Sequence, residues 1–126
     1  MMVLSGAARI YLYRGATDMR RSFDGLAGMV TGCLGDDPLS GAVYVFCNRR
    51  RNRIKLLYWS GDGYAIWAKR LERGTFLMPA ATTTRVELSS AQLSMLLEGI
   101  VPLRVGVRYR RPPVPAGMLA AAAGSE

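Results

Sequence analysis

The sequence predicts an α+β fold: a mainly antiparallel sheet of about five or six short strands, two helices and a flexible C-terminal tail. Three observations carry that expectation. Short runs rich in β-branched and aromatic residues recur between turn signals, as in Ala42–Cys47 and Ile54–Trp59. Two stretches, Met19–Leu34 and Ser90–Ile100, instead place their apolar residues at helical spacing. From Pro102 onward the chain has four prolines, an Ala-rich end and no period. Residues 1–101 are therefore expected to form a single domain, and residues 102–126 a Pro/Ala/Gly-rich basic tail, partly disordered.

The first strand is expected at Arg9–Tyr13 (Arg-Ile-Tyr-Leu-Tyr), broken by Arg14-Gly15-Ala16. Thr17 or Asp18 then suits a helix cap. Met19, Phe23, Leu26, Ala27, Val30 and Leu34 form one apolar stripe. Gly25, Gly28 and Gly32 each weaken this helix by about 1 kcal/mol relative to Ala, so either burial of the stripe must hold it or the glycines permit close packing on a sheet. Gly35 is a natural stop, followed by an Asp36-Asp37-Pro38 turn.

Ala42–Cys47 and Ile54–Trp59 read as a hairpin whose tip is Asn48-Arg49-Arg50-Arg51-Asn52-Arg53. Ser60-Gly61-Asp62-Gly63 marks the next turn. Tyr64–Leu71 fits a strand better than two helical turns, because it is brief and bounded by short turns. Phe76–Met78 is expected as a further short strand ended by Pro79. Thr83–Leu88 alternates, with Thr84, Val86 and Leu88 on one face and Arg85 and Glu87 on the other. Ser89-x-x-Gln92 has the form of a capping box, and Leu93, Leu96, Leu97 and Ile100 make the apolar face of the helix behind it.

Composition narrows function before any motif does. The chain has 126 residues, 17 Lys plus Arg against 9 Asp plus Glu, and a net charge of +8. Its pI is near 10.2, which favours anionic partners. There is no histidine, which removes Ser-His-Asp and Cys-His catalysis, imidazole acid–base chemistry and every zinc site needing a His ligand. The two cysteines, Cys33 and Cys47, lack redox-pair spacing and are expected as reduced, buried thiols. Neither a membrane span nor a signal peptide is read from the sequence, so a cytoplasmic location and no membrane partner are expected.

The hairpin tip concentrates chemistry. Arg49, Arg50, Arg51, Arg53 and Lys55 put five positive charges into seven residues. Guanidinium groups form bidentate pairs with phosphate oxygens, so this loop is the candidate nucleic-acid contact. The opposing reading is a solvated turn that keeps a sheet edge soluble. The neighbouring Tyr44, Phe46, Tyr58 and Trp59 would stack on bases if they faced outward, but most are expected in the core. Lys69, Arg70 and Arg73 form a second basic group, although strand alternation turns Lys69 and Arg70 to opposite faces. Arg104, Arg108, Arg110 and Arg111 form a third, in the tail. The carboxylates show no strand-end pattern for metal-assisted chemistry, and Glu72, between Arg70 and Arg73, reads as a paired residue. No catalytic residue, cofactor or metal site is assigned.

At these residues the sequence resembles the small Orf2-like (TnpB) accessory proteins of the insertion-sequence sixty-six family of bacterial transposons. The matching blocks are Thr17–Leu26, Pro38–Gly41 with Val43–Phe46, Asn48–Lys55, Tyr58–Gly63, Lys69–Gly74, Leu88-Ser89 and Gln92–Ile100, together spanning roughly residues 8 to 101. Cys47-Asn48 and Ala65–Ala68 depart mildly from the pattern, outside the basic residues. The resemblance implies a protein encoded beside a separate, larger DDE-type transposase and assisting transposition, and it brings no catalytic residues to carry over.

Three functional readings result. The first is a non-enzymatic accessory factor that grips transposon-end DNA through the basic hairpin and helps assemble the transposase complex. The second is an adaptor that docks on the transposase or another element-encoded protein without touching DNA. The third and weakest is a Mg²⁺-dependent nuclease using Asp62 and Glu72.

Overall fold

The computed structural model describes residues 8–100. In chain order the elements are β1 (Ile10–Ala16), α1 (Phe23–Leu34), β2 (Val43–Cys47), β3 (Arg53–Trp59), β4 (Tyr64–Arg70), β5 (Arg85–Leu88) and α2 (Ser90–Glu98). The strands form one sheet in the order β4-β3-β2-β1-β5. Three of its four pairings are antiparallel, giving the expected α+β fold. The exception is β1 beside β2, which run parallel with Ile10 opposite Val43 and Leu12 opposite Val45. A parallel neighbour requires a crossover, and α1 supplies it.

The two faces of the sheet carry separate apolar clusters. On one, Tyr11, Tyr44, Phe46 and Leu57 meet Leu26, Val30 and Leu34 of α1. On the other, Ile10, Leu12, Val45, Ile54 and Leu56 meet Leu93 and Leu96 of α2, together with Phe76. Strand alternation distributes these residues, since neighbours along a strand face opposite sides. β2 lies at the centre and all five of its residues are buried, which is why it reads as a continuous apolar run, Val-Tyr-Val-Phe-Cys.

Several boundaries differ from expectation for identifiable reasons. The first strand runs on to Ala16, with an irregular register between Leu12 and Ala16. The first helix begins at Phe23 rather than Met19, with Ser22 at its N-cap making no side-chain bond. Asp18 does not cap it. The Asp18 carboxylate instead accepts from the Arg20 backbone N–H at 2.9 Å and from the Arg20 guanidinium at 2.7 Å, closing a local turn. The carbonyls of Met19 and Arg21 each accept from Lys55 Nζ at 2.8 Å, which holds them out of a helical ladder. Met19 still packs on the α1-side cluster, whereas Phe23 is 45% exposed and leaves the expected stripe. The helix stops at Gly35, in the left-handed conformation at φ 63°, as its sequence position suggests.

Phe76–Met78 is not a strand. Phe76 donates its N–H to the Arg51 carbonyl at 2.7 Å and buries its ring in the α2-side core, so the segment is pinned across the hairpin tip. The ladder contact in this region is an isolated bridge between Thr75 and Ile100. Ile100 therefore leaves the second helix, which ends at Glu98 ahead of Gly99 at φ 71°. β5 starts at Arg85 rather than Thr83. The capping box forms as read: Ser89 Oγ accepts from Gln92 N–H at 3.1 Å, and Gln92 Oε1 accepts from Ser89 N–H at 2.7 Å. The expected tail from Pro102, with its four arginines, lies outside the described residues.

Candidate nucleic-acid interface

The hairpin tip is organised by Asn48. Its Oδ1 accepts from the N–H groups of Asn52 and Arg53, both at 3.0 Å, and its Nδ2 donates to Asn52 Oδ1 at 2.8 Å. Its own N–H donates to the Arg53 carbonyl at 3.1 Å, and its carbonyl accepts from Arg51 N–H at the same distance. An Asn can make these local bonds because its short amide reaches back to the backbone. Outside the tip, the N–H groups of Leu71 and Phe76 donate to the carbonyls of Asn52 and Arg51, both at 2.7 Å. The loop is thus fixed from both sides while Arg49, Arg50 and Arg53 stay exposed.

Arg51 is the one non-glycine among the described residues with positive φ, at 59°. That conformation costs a residue with a Cβ roughly 1–2 kcal/mol. Its side chain is half-buried rather than free in solvent.

The remaining expected contact residues divide into distinct roles. Lys55 is half-buried and committed to the Met19 and Arg21 carbonyls. Lys69 Nζ donates to the Leu97 carbonyl at 2.7 Å, placing a cation at the C-terminal turn of α2 where the helix dipole favours it. Arg70 lies opposite Arg53 in the β3–β4 ladder, and its Nε meets Glu72 Oε2 at 2.9 Å. Glu72 is therefore paired, as its neighbours suggested. Arg73 is exposed in the turn after β4.

Arg53, Lys55, Lys69 and Arg70 line one open groove of about 540 Å³, with Glu72 the single carboxylate in its wall. Arg49 and Arg51 line a different cavity, together with Arg14. Arg14 carries no signal in the sequence, where Arg14-Gly15-Ala16 reads only as the end of a strand. The register of β1 beside β2 brings it to the hairpin.

The aromatic residues mostly belong to the interior. Tyr44 and Phe46 are fully buried, Tyr58 packs against the α2-side core, and Trp59 meets Tyr64 edge-on at 5.2 Å. The cysteines are both free, but only Cys47 is buried; Cys33 is exposed on α1, off its apolar stripe. Among the described residues no group of three His, Cys, Asp or Glu side chains gathers as metal ligands do.

Comparison with known sequences then decides the kinship. Residues 8–106, most of the chain and all of the sheet, match the family described as IS66 Orf2-like protein. The chain belongs to the IS66 Orf2-like family. Two relatives come from Sinorhizobium fredii (strain NBRC 101917 / NGR234). "Uncharacterized protein y4hO" is 40% identical over 92 residues, covering 73% of this chain and 80% of the relative. "Uncharacterized protein y4jC" is 33% identical over 110 residues, covering 87% and 91%. No solved structure matches. Membership in the IS66 Orf2-like family ties the chain to an insertion sequence and to transposition. Among the described residues, no helix is long and apolar enough to cross a membrane.

Proposed function

We propose that this IS66 Orf2-like protein is a non-enzymatic accessory factor of transposition. It works in the cytoplasm, binds transposon-end DNA through the basic hairpin and helps assemble the transposase complex. The observation that carries this reading is a loop held rigid by Asn48 with Arg49, Arg50 and Arg53 exposed, beside a groove lined by four cationic residues. A pre-ordered loop loses little entropy on binding, and its arginines present donors in the geometry phosphates accept. Phosphate contacts position a protein on DNA without reading sequence, so affinity exceeds sequence preference.

Fluorescence anisotropy with the terminal repeat, a scrambled duplex and a single strand tests this across a salt series. The expected result is duplex binding whose log K falls with log salt by about 0.9 per contacted phosphate, with a shallower slope for Arg49→Ala/Arg50→Ala/Arg53→Ala. Absence of binding near physiological salt overturns it.

A second reading, an adaptor that docks on the transposase without DNA contact, draws on a different surface. Leu77 and Met95 are 49% and 38% exposed beside an apolar groove of about 280 Å³ between α2 and residues 77–80. Capture of the transposase with no DNA affinity, abolished by Met95→Asp, favours that reading.

A further inference from the structure

We propose that the carboxyl ends of β1 and β2 carry a seat for one phosphate group, formed by Arg14, Arg49 and Arg51 over a floor of Cys47. The inference deepens the DNA-binding reading and rests on it only for the source of the phosphate.

Four observations support the seat. First, the cavity has a volume of about 250 Å³, ample for a phosphate with water, and no carboxylate lines it. Three guanidinium-bearing residues therefore share one small space without a counter-charge in its walls, an arrangement a dianion or phosphodiester relieves. Second, Arg14 is fixed in place: its Nη1 donates to the Ala81 carbonyl at 2.6 Å. Its Nε is buried and makes no hydrogen bond among the described residues, so this cation is only partly compensated by the protein. Third, Arg51 occupies a left-handed backbone position that glycine fills without strain. Its side chain is half-buried and lines the cavity. Fourth, the wall at the strand ends is Gly15 and Ala16, which add no charged or long side chain of their own. The site sits outside the carboxyl ends of two parallel strands, where open sheets with helical crossovers commonly bind ligands.

The buried Arg14 Nε–H is shielded from water and so yields a resolved NMR signal. Titrating the full chain with inorganic phosphate, at ionic strength held constant with chloride, reads the seat directly. The expected result is a saturable shift of the Arg14 Nε–H resonance, with affinity at least about tenfold weaker in Arg51→Gly. Because glycine relieves the backbone, the unfolding midpoint of Arg51→Gly should equal or exceed that of the parent. No saturable shift in the parent, or an equal affinity in Arg51→Gly, overturns the proposal.

A DNA arm separates the two sources of phosphate. A log K–log salt slope shallower by about 0.9 in Arg51→Gly places a backbone phosphate in the seat. An unchanged slope beside a positive phosphate titration assigns the seat to a free or terminal phosphate. A chain that binds phosphate but no duplex keeps the seat and loses the DNA reading. A chain that binds duplex, with no phosphate shift and an unchanged slope, loses only the seat.

Discussion

Lys55 Nζ donates to the Met19 carbonyl at 2.8 Å across 36 residues of sequence. A second bond, to the Arg21 carbonyl at the same length, makes the ammonium a clamp on the segment entering α1. It joins the middle of β3 to the chain just before the crossover helix, so one cation of the basic cluster does structural work. Two of its three donors are used in this way.

Lys55→Met should therefore lower stability by about 2 kcal/mol, the scale of losing charged hydrogen bonds to carbonyls that are then left under-satisfied. Urea unfolding measures this. Arg50→Ala, at an exposed position with no such bonds, should fall within about 0.5 kcal/mol of the parent. Equal losses in the two variants contradict the clamp.

Tyr44 gives a pH-dependent test. Its hydroxyl donates to Asp36 Oδ2 at 2.8 Å and lies 2.8 Å from Ser40 Oγ, beneath a fully buried ring. Burial, with the Asp36 carboxylate alongside, pushes its pKa up from 10.0 to about 12. A raised folded-state value means the folded chain holds this proton more tightly than the unfolded chain does. The stabilisation is complete below pH 10.0 and is lost as pH rises toward about 12. Alkaline unfolding followed by tyrosinate absorbance should show this loss in the parent and a weaker pH dependence in Tyr44→Phe. At neutral pH, Tyr44→Phe should cost about 1–2 kcal/mol for the lost bonds.

The Asp36 carboxyl predicts the opposite sign in acid. The Asp37 N–H and then the Tyr44 hydroxyl hold its pKa below the ordinary carboxylate value of 3.8. The contribution is present above pH 3.8 and fades as pH falls through the lower folded-state value. Acid unfolding of Asp36→Asn should accordingly begin from a lower plateau and respond less steeply than the parent.

The cysteines should separate by reactivity. Burial raises the Cys47 thiol to about 11, partly offset by the nearby Arg51 charge, while Cys33 is exposed. A thiol-specific reagent near pH 8 should label one cysteine in the folded chain, identified by mass spectrometry as Cys33, and both in urea. Early labelling of Cys47 contradicts its burial.

Removal of the second helix's cap should be felt locally. Ser89→Ala deletes the hydroxyl that accepts from Gln92 N–H and should destabilise by about 1 kcal/mol in urea unfolding. An unchanged midpoint would show that α2 is held by Leu93 and Leu96 alone.

Local patterns in the sequence reach far. The Val-Tyr-Val-Phe-Cys run, the Asn-flanked hairpin tip, the Ser89–Gln92 box and Gly35 each encode their element through neighbours a few residues away, and each forms as read. The start of α1 fails that logic. Thr17-Asp18 looks like a cap, yet a lysine 36 residues downstream takes the Met19 carbonyl and moves the helix start to Phe23. Phe76 fails it likewise, because its apolar neighbours suggest a strand while its partner is the Arg51 carbonyl of the hairpin.

The candidate interface divides in the same way. The charge, the hairpin and the exposure of Arg49, Arg50 and Arg53 were legible, because a run of arginines at a turn between two apolar strands sends most of its side chains to solvent, although Arg51 is half-buried. The commitments of Lys55 and Lys69 to distant carbonyls, and the meeting of Arg14 with Arg49 and Arg51, were not. Alone, the sequence determined which residues are cationic, which segments pair locally and which family the chain resembles. Only the tertiary structure decided which cations share a cavity and which are spent on holding the fold. Those outcomes depend on the β1–β2 register and on hydrogen bonds between residues tens of positions apart, which local pattern does not encode.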